Sequence, residues 1–370
     1  MMQKVITFFV FIAMILVIGC SHDKYPLPTV PSGEDLYGNI GKQVYNLINP
    51  ILDAGHGYSF NHPSDIYVGV DNFIYVCDTD NNRIVMLDLG GAVQGVSQFI
   101  EHPEAITQND KLELLVVNKT NRVFKIDQVA VNHNIGAAPI ETVFEQSSEP
   151  SREFTGITVY NGSEYYVTVV DVADSSTNYL EFSFVYDFNT DNTLKGPVPL
   201  FVNGTGLYSV IVPTSIVSLR EQYLDVSSRS EDTKAFMFTH TGRTSLLFNA
   251  FKYQYVTTRM FEGQPILTPN TALIGTDIYS TDKFWNLEDV AIDRQGFIFL
   301  VDAGGNSHLP GFYRFAPSGL QMQSVLAAGS GPRQFNNPKG IAVTPFIEDQ
   351  TVYVADTGNN RIMMFQLSTE

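Results

Sequence analysis

Residues 61–88 read NHPSDIYVGVDNFIYVCDTDNNRIVMLD, and residues 337–367 read NPKGIAVTPFIEDQTVYVADTGNNRIMMFQL. Each stretch has a Pro, an alternating apolar run, a second run of the form Tyr-Val-x-Asp-Thr, then Asn-Asn-Arg-Ile and a third run. A phrase written twice is the mark of a repeat architecture, whose units run about 40–50 residues. We anchored each copy on the apolar residue three after its Pro, Ile66 and Ile341. A search between them at that spacing finds Ile106 in EHPEAI, Ile157 in EFTGITV, Ile216 in VPTSIVSL and Val290 in NLEDVAID. Six units result.

Each anchor precedes a second short run rich in β-branched and aromatic residues: 73–79, 112–118, 165–171, 222–228, 297–303 and 351–357. Third runs follow at 83–89, 122–128, 180–188, 234–240, 311–317 and 361–367. Gly, Asn, Asp or Pro bound them, which predicts strands. Fainter fourth strands are predicted at SQFIE (97–101), ETVFEQ (141–146), TSLLFNA (244–250) and QSVLAA (323–328). Four strands in each of six units predict an all-β fold, a six-bladed β-propeller of antiparallel blades. The last unit runs out of chain after its third strand. VYNLINPIL (44–52) is the natural donor of the missing outer strand, and its insertion removes an exposed edge.

The 370-residue chain carries a formal net charge of −17, which argues against a nucleic-acid partner. Lys4 and the apolar stretch Val5 to Ile18 form a secretory signal too short to span a membrane comfortably. It ends Val17-Ile18-Gly19-Cys20, which resembles a bacterial lipobox. The expected organisation is a lipoprotein signal peptide at 1–19, a Pro-rich tether at 20–43 and a propeller at 44–370. Cys20 would carry the lipid, the chain's only membrane attachment. Ser21 is compatible with sorting to the outer membrane. The other cysteine, Cys77, takes the place of Ala355 and is expected to be a buried small hydrophobe.

The phrase Pro-x-x-Ile-x-Val…Ile-Tyr-Val-x-Asp-Thr-x-Asn-Asn-Arg-Ile resembles the NHL repeat, with the two end copies close to it and the copies at 154–203 and 213–250 degenerate. The resemblance covers roughly 45–370 and implies a six-bladed propeller. It does not imply one function, because such propellers include binding modules as well as lyases and hydrolases. Asp78 and Asp356 suit turns in which a carboxylate accepts N–H groups, and Asn81-Asn82 and Asn359-Asn360 suit positive φ. Arg83, Arg122 and Arg361 are expected to pair with carboxylates and carbonyls between blades. A catalytic group has no reason to recur in three blades, so these residues read as structural.

Chemistry is sought where the inner strands begin, around the central channel. Four residues before the anchors stand His62, His102 and Glu153 in consecutive blades. Two imidazoles and a carboxylate are a ligand set for Zn²⁺ with an open position. Asp65, Glu104, Glu288 and Asp289 offer an oxygen-rich ring for Ca²⁺ or a cationic ligand. The simpler reading is that His-Pro caps a strand and that polar residues line a wet mouth. The longest unit holds an aromatic insertion at 251–284, ending beside Trp285, read as a loop suited to sugar or peptide contact or as an ordinary loop over one face. No Gly-x-Ser-x-Gly, Walker-type or His-Glu-x-x-His sequence is present. The leading expectation is a lipid-anchored binding or scaffold propeller of the bacterial envelope that holds a protein or glycan partner with one face and the 251–284 insertion, with Trp285 either a ligand platform or packing for its blade. The alternative is a metal-dependent lyase or hydrolase acting in the channel.

Overall fold

In the computed structural model, the described residues are 43–173, 183–200, 211–219, 234–242, 252–346 other than 271 and 281, and 350–369. The expected signal peptide, Cys20 and nearly all of the tether lie outside them.

The described strands form six four-stranded antiparallel sheets. Blade 1 comprises Pro63–Val68, Phe73–Asp78, Arg83–Asp88 and Val93–Val96. Blade 2 runs from Ala105–Gln108 through Glu113–Val117 and Arg122–Asp127 to Ile140–Glu145, and blade 3 from Arg152–Asn161 through Glu164–Asp171 and Ser183–Phe188 to Leu194–Pro197. Blade 5 comprises Leu287–Ile292, Ile298–Asp302, Gly311–Phe315 and Gln321–Leu326. The first strand of each blade touches the first strands of both its neighbours, so six inner strands close a ring. Blade 6 takes Gly340–Val343, Thr351–Asp356 and Arg361–Thr369 from the end of the chain, and its outer strand, Gln43–Leu52, from the start. That strand pairs antiparallel with Arg361–Thr369, from Gln43 opposite Thr369 to Leu52 opposite Ile362.

Period-2 alternation builds the core between blades rather than within them. In the second strand of blade 1, Ile74 and Val76 pack with Tyr353, Ala355, Ile362 and Met364 of blade 6. The intervening Tyr75 and Cys77 pack instead with Ile106, Leu114 and Val116 of blade 2. Strands buried on both faces read as nearly continuous apolar runs, which is why FIYVCD and TVYVAD carry the strongest strand signals. Cys77 is fully buried, opposite Asp65 in register as Ala355 is opposite Gly340.

Two expectations need correction. In blade 4 the strands are Ile211–Ser218, Phe236–Gly242, Tyr253–Phe261 and Gln264–Pro269. The run at 234–240 is therefore the second strand, not the third, and the insertion 251–284 supplies the outer hairpin followed by the crossover to blade 5. The predicted strands at 222–228 and 244–250 lie outside the described residues. Blade 4 lacks the Asp-Thr-x-Asn-Asn-Arg punctuation, and without it runs of similar composition cannot be ordered. In blade 1 the outer strand is Val93–Val96, and SQFIE follows it. There Ser97 still exchanges bonds with Ile84, its N–H donating to the Ile84 carbonyl at 2.9 Å and its Oγ accepting the Ile84 N–H at 2.8 Å.

Tyr45 shows what the closing strand contributes. It is 2% exposed, its hydroxyl donates to Gln350, and its ring lies edge-on to Phe312. Tyr45→Ala should lower unfolding stability by about 3–5 kcal/mol in urea titration. Phe99→Ala, at a site 73% exposed, should change it by less than about 0.5 kcal/mol.

Candidate functional site

Successive strands run in opposite directions, so the starts of the inner strands and the turns between second and third strands lie at the same end of each blade. This end is the mouth of the channel. Further in, Ile66, Ile106, Ile157, Ile216, Val290 and Ile341 converge from all six blades around a cavity of about 50 Å³. At the mouth a second cavity, about 30 Å³, is lined by Ser64, Asp65, Glu104, Thr155, Thr214, Ser215, Glu288, Asp289 and Lys339. The residues one and two places before the anchors therefore do meet in space, and Asp65, Glu104, Glu288 and Asp289 share one cavity.

The repeated motif wires the blades around this mouth. Asp78 accepts the Asn61 N–H at 2.7 Å, the Arg83 Nε at 2.7 Å and the Asn81 amide at 2.9 Å. Asp356 does the same with the Asn336 N–H, Arg361 and Asn359. Arg361 also donates to the carbonyls of Ser330, Gly331 and Gln334 in the preceding crossover. The motif Thr reaches forward: Thr357 donates to the Pro63 carbonyl and Thr79 to the Pro103 carbonyl. The second Asn does likewise. Asn360 and Asn82, at φ 55° or just below, accept the N–H groups of His62 and His102 through their side-chain oxygens. Arg122 bonds Glu145 within its own blade.

His62 and His102 both occupy left-handed backbone, φ 49° and 40°. Their rings converge on Asp80: His62 Nδ1 is 2.7 Å and His102 Nδ1 3.5 Å from its carboxylate oxygens. Glu153 is drawn elsewhere. Burial raises its pKa, and its charged neighbours are Lys119 and Glu104. The triad His62, His102 and Glu153 is thus not gathered, because Asp80 supplies a nearer partner for both imidazoles. Asp80 was legible as a difference between copies, since Gly358 stands in its place in blade 6.

Nor does the acidic ring fit an ion. Among the described residues no three His, Cys, Asp or Glu side chains are placed to hold a metal. Glu104 is paired with Lys119, and the Lys339 Nζ lies 3.9 Å from it. Glu288 accepts the Asn286 amide at 2.8 Å; burial raises its pKa, against the pull of Lys339 and Lys119. Asp65 and Asp289 point their oxygens at backbone. Asp65 accepts the N–H groups of Ile66 at 2.7 Å and Ile106 at 2.9 Å. Asp289 accepts those of Val290 and Ile341, both at 2.7 Å, and the Ser215 hydroxyl. Burial pushes the Asp65 pKa well up, with the Asp289 charge adding to it. Burial pushes Asp289 up to about 7 even though those hydrogen bonds pull it down.

Trp285 stands at the rim of blade 5, 43% exposed. Its backbone N–H donates to Asp302 at 2.9 Å, and its indole stacks on His308 with centroids 5.8 Å apart and planes 23° apart. His308 is itself held through Nε2, 2.7 Å from the Asp282 carbonyl. Gly305, at φ 126°, leaves room for the indole edge, which a Cβ there would meet at 2.7 Å. Nothing in the local pattern around His308 marked it, because a platform's backing partner carries no motif.

Comparison with known proteins agrees with this architecture. An NHL repeat is matched at residues 60–86, in blade 1. No curated protein matches the chain. A gluconolactonase from Xanthomonas campestris superposes with a TM-score of 0.58 at 11% identity, over 89% of this chain and 92% of its own. Regucalcin, a calcium-binding protein from Agrobacterium tumefaciens, gives 0.56 at 12% identity, over 88% and 96%. An auxiliary nutrient binding protein from Bacteroides ovatus gives 0.56 at 10% identity, over 89% and 77%. At such identities the likeness is one of fold.

These placements separate framework from surface. Asp356→Ala leaves the buried Arg361 without its counter-charge and should cost about 3–5 kcal/mol in chemical denaturation. His62→Ala removes a solvent-exposed pair and should cost less than about 1 kcal/mol.

Proposed function

We propose that this protein is a lipid-anchored propeller of the bacterial envelope that binds a glycan on its mouth face, with a sugar ring lying against Trp285. The observation that carries the reading is the preorganised indole. Trp285 is backed by His308, tethered through its backbone to Asp302 and still 43% exposed. A rigid, half-exposed aromatic costs little entropy on binding and offers a large apolar face. Polar groups that suit hydroxyls lie next to it in the chain and at the mouth: Asn286, Glu288 and Lys339. The competing reading, a metal-dependent lyase or hydrolase, needs ligands gathered on one ion, and the carboxylates here are instead engaged by N–H groups and lysines.

Trp285 is the chain's single tryptophan, so its fluorescence reports on this site alone. Titration with a panel of envelope and dietary oligosaccharides should shift its emission. Trp285→Ala should weaken binding of the same sugar at least tenfold, with the melting temperature unchanged. Sugar binding that survives the substitution would overturn the assignment, as would a purified protein that carries stoichiometric metal and hydrolyses lactones or esters. The proposed anchor is tested separately: Cys20→Ala should abolish labelling with a fatty-acid analogue and release the protein from the membrane fraction.

A further inference from the structure

Asp65 and Asp289 are two carboxylates at the floor of the mouth, and among the described residues neither has a cation in an ion pair. Each is a clamp between blades. Asp65 joins the inner strand of blade 1 to that of blade 2 through the Ile106 N–H. Asp289 joins blade 5 to blade 6 through the Ile341 N–H, and to blade 4 through the Ser215 hydroxyl. Only blade 6 stands between the two clamps, and at their level it presents Gly340. A Cβ there would meet the Asp65 Cα at 2.7 Å, so glycine is what lets the strands approach this closely. Both carboxylates line the cavity of about 30 Å³, which has room for one or two water molecules to link them.

The groups facing the pair do not neutralise it. Blade 2 presents Glu104, already paired with Lys119. Blade 5 presents Glu288, bonded to Asn286, and blade 6 presents Lys339, which lies 3.9 Å from Glu104. Blade 3 presents Thr155 at this level, with Glu153 beside Lys119 and Glu104, and blade 4 presents the hydroxyls of Thr214 and Ser215. Behind Asp65 lies the Cys77 thiol, which burial and the Asp65 charge keep protonated. Two buried like charges with no counter-ion repel strongly, and one of them takes a proton instead.

We propose that Asp65 and Asp289 hold one proton between them at neutral pH and that this proton keeps the ring closed. With it, the two clamps carry a single negative charge. Without it, two like charges push blade 1 and blade 5 apart across blade 6. The pair titrates as a unit, so the apparent values belong to both residues. Burial raises the carboxyl pKa of Asp289 to about 7 and that of Asp65 well above the value of an unfolded carboxyl. The folded state then binds more protons than the unfolded state. The contribution is complete below the unfolded carboxylate value and is lost as pH rises through about 7.

The test is the pH dependence of stability from pH 5 to 8.5, by urea unfolding of the mature protein and of Asp289→Asn. In wild type each proton lost on unfolding raises the unfolding constant about tenfold per pH unit from pH 5 to about 7, and the slope fades above that. Asp289→Asn should flatten the wild-type slope by about one proton. Equal slopes in the two proteins would overturn the proposal. If Asp289→Asn does not fold, carboxyl-carbon NMR of wild type labelled at Asp decides alone. Two Asp resonances should titrate together, with a midpoint near 7. Titration of every Asp carboxyl below about pH 5 would refute the shared proton.

Discussion

The antiparallel ladder between Gln43–Leu52 and Arg361–Thr369 is the constraint on which the rest of this structure depends. A circular array of blades has no edge at its axis, but its first and last blades would each face solvent unless the chain ends meet. Here they meet inside one blade, and that ladder ties the two ends of the chain together. Tyr45 reinforces it, with its hydroxyl on Gln350 and its ring against Phe312 of blade 5. Once the ring is closed, six inner strands face a common axis and residues far apart in sequence share one cavity.

Around that closure the motif acts as wiring laid in one direction. Asp356 and Asp78 fix the approach to their own inner strands. Thr357 and Asn360 of blade 6 reach Pro63 and His62 of blade 1, and Thr79 and Asn82 of blade 1 reach Pro103 and His102 of blade 2. Blades 3 and 4, where the phrase decays, hold together differently. Their inner strands are longer, and aromatic rings take over: Tyr160 stacks on Tyr166 at 4.2 Å, Tyr165 on Phe188 at 4.7 Å, and Tyr166 meets Phe236 of blade 4 at 4.8 Å. Hydrogen bonds that need an Asp in a tight turn give way to apolar area, which needs only large side chains at alternate positions.

This division explains what could be read from the sequence. Strands announced themselves by period-2 alternation, and turns by Asp, Asn and Gly, because both are short-range preferences. Blade 4 was misread where that punctuation was missing, and its outer hairpin passed for a loop. The mouth was legible as a set of positions, since offsets of one and two residues before the anchors brought Asp65, Glu104, Glu288 and Asp289 to one cavity. The direction of the side chains was not. His62 and His102 turned to Asp80, and Glu104 to Lys119, because a side chain takes its nearest complementary partner, and nearness across blades is not a property of any local stretch.

The sequence by itself therefore determined the strand class, the number of units, the use of the N-terminal strand as the closing piece and the structural role of the Asp-Thr-x-Asn-Asn-Arg phrase. Each is written in local patterns that survive without knowledge of the fold. Only the tertiary structure decided that the imidazoles converge on a carboxylate, that His308 backs Trp285, and that Asp65 and Asp289 face one cavity past Gly340 with neither, among the described residues, in an ion pair. Those facts depend on burial and on distances across the ring, and ring closure sets both.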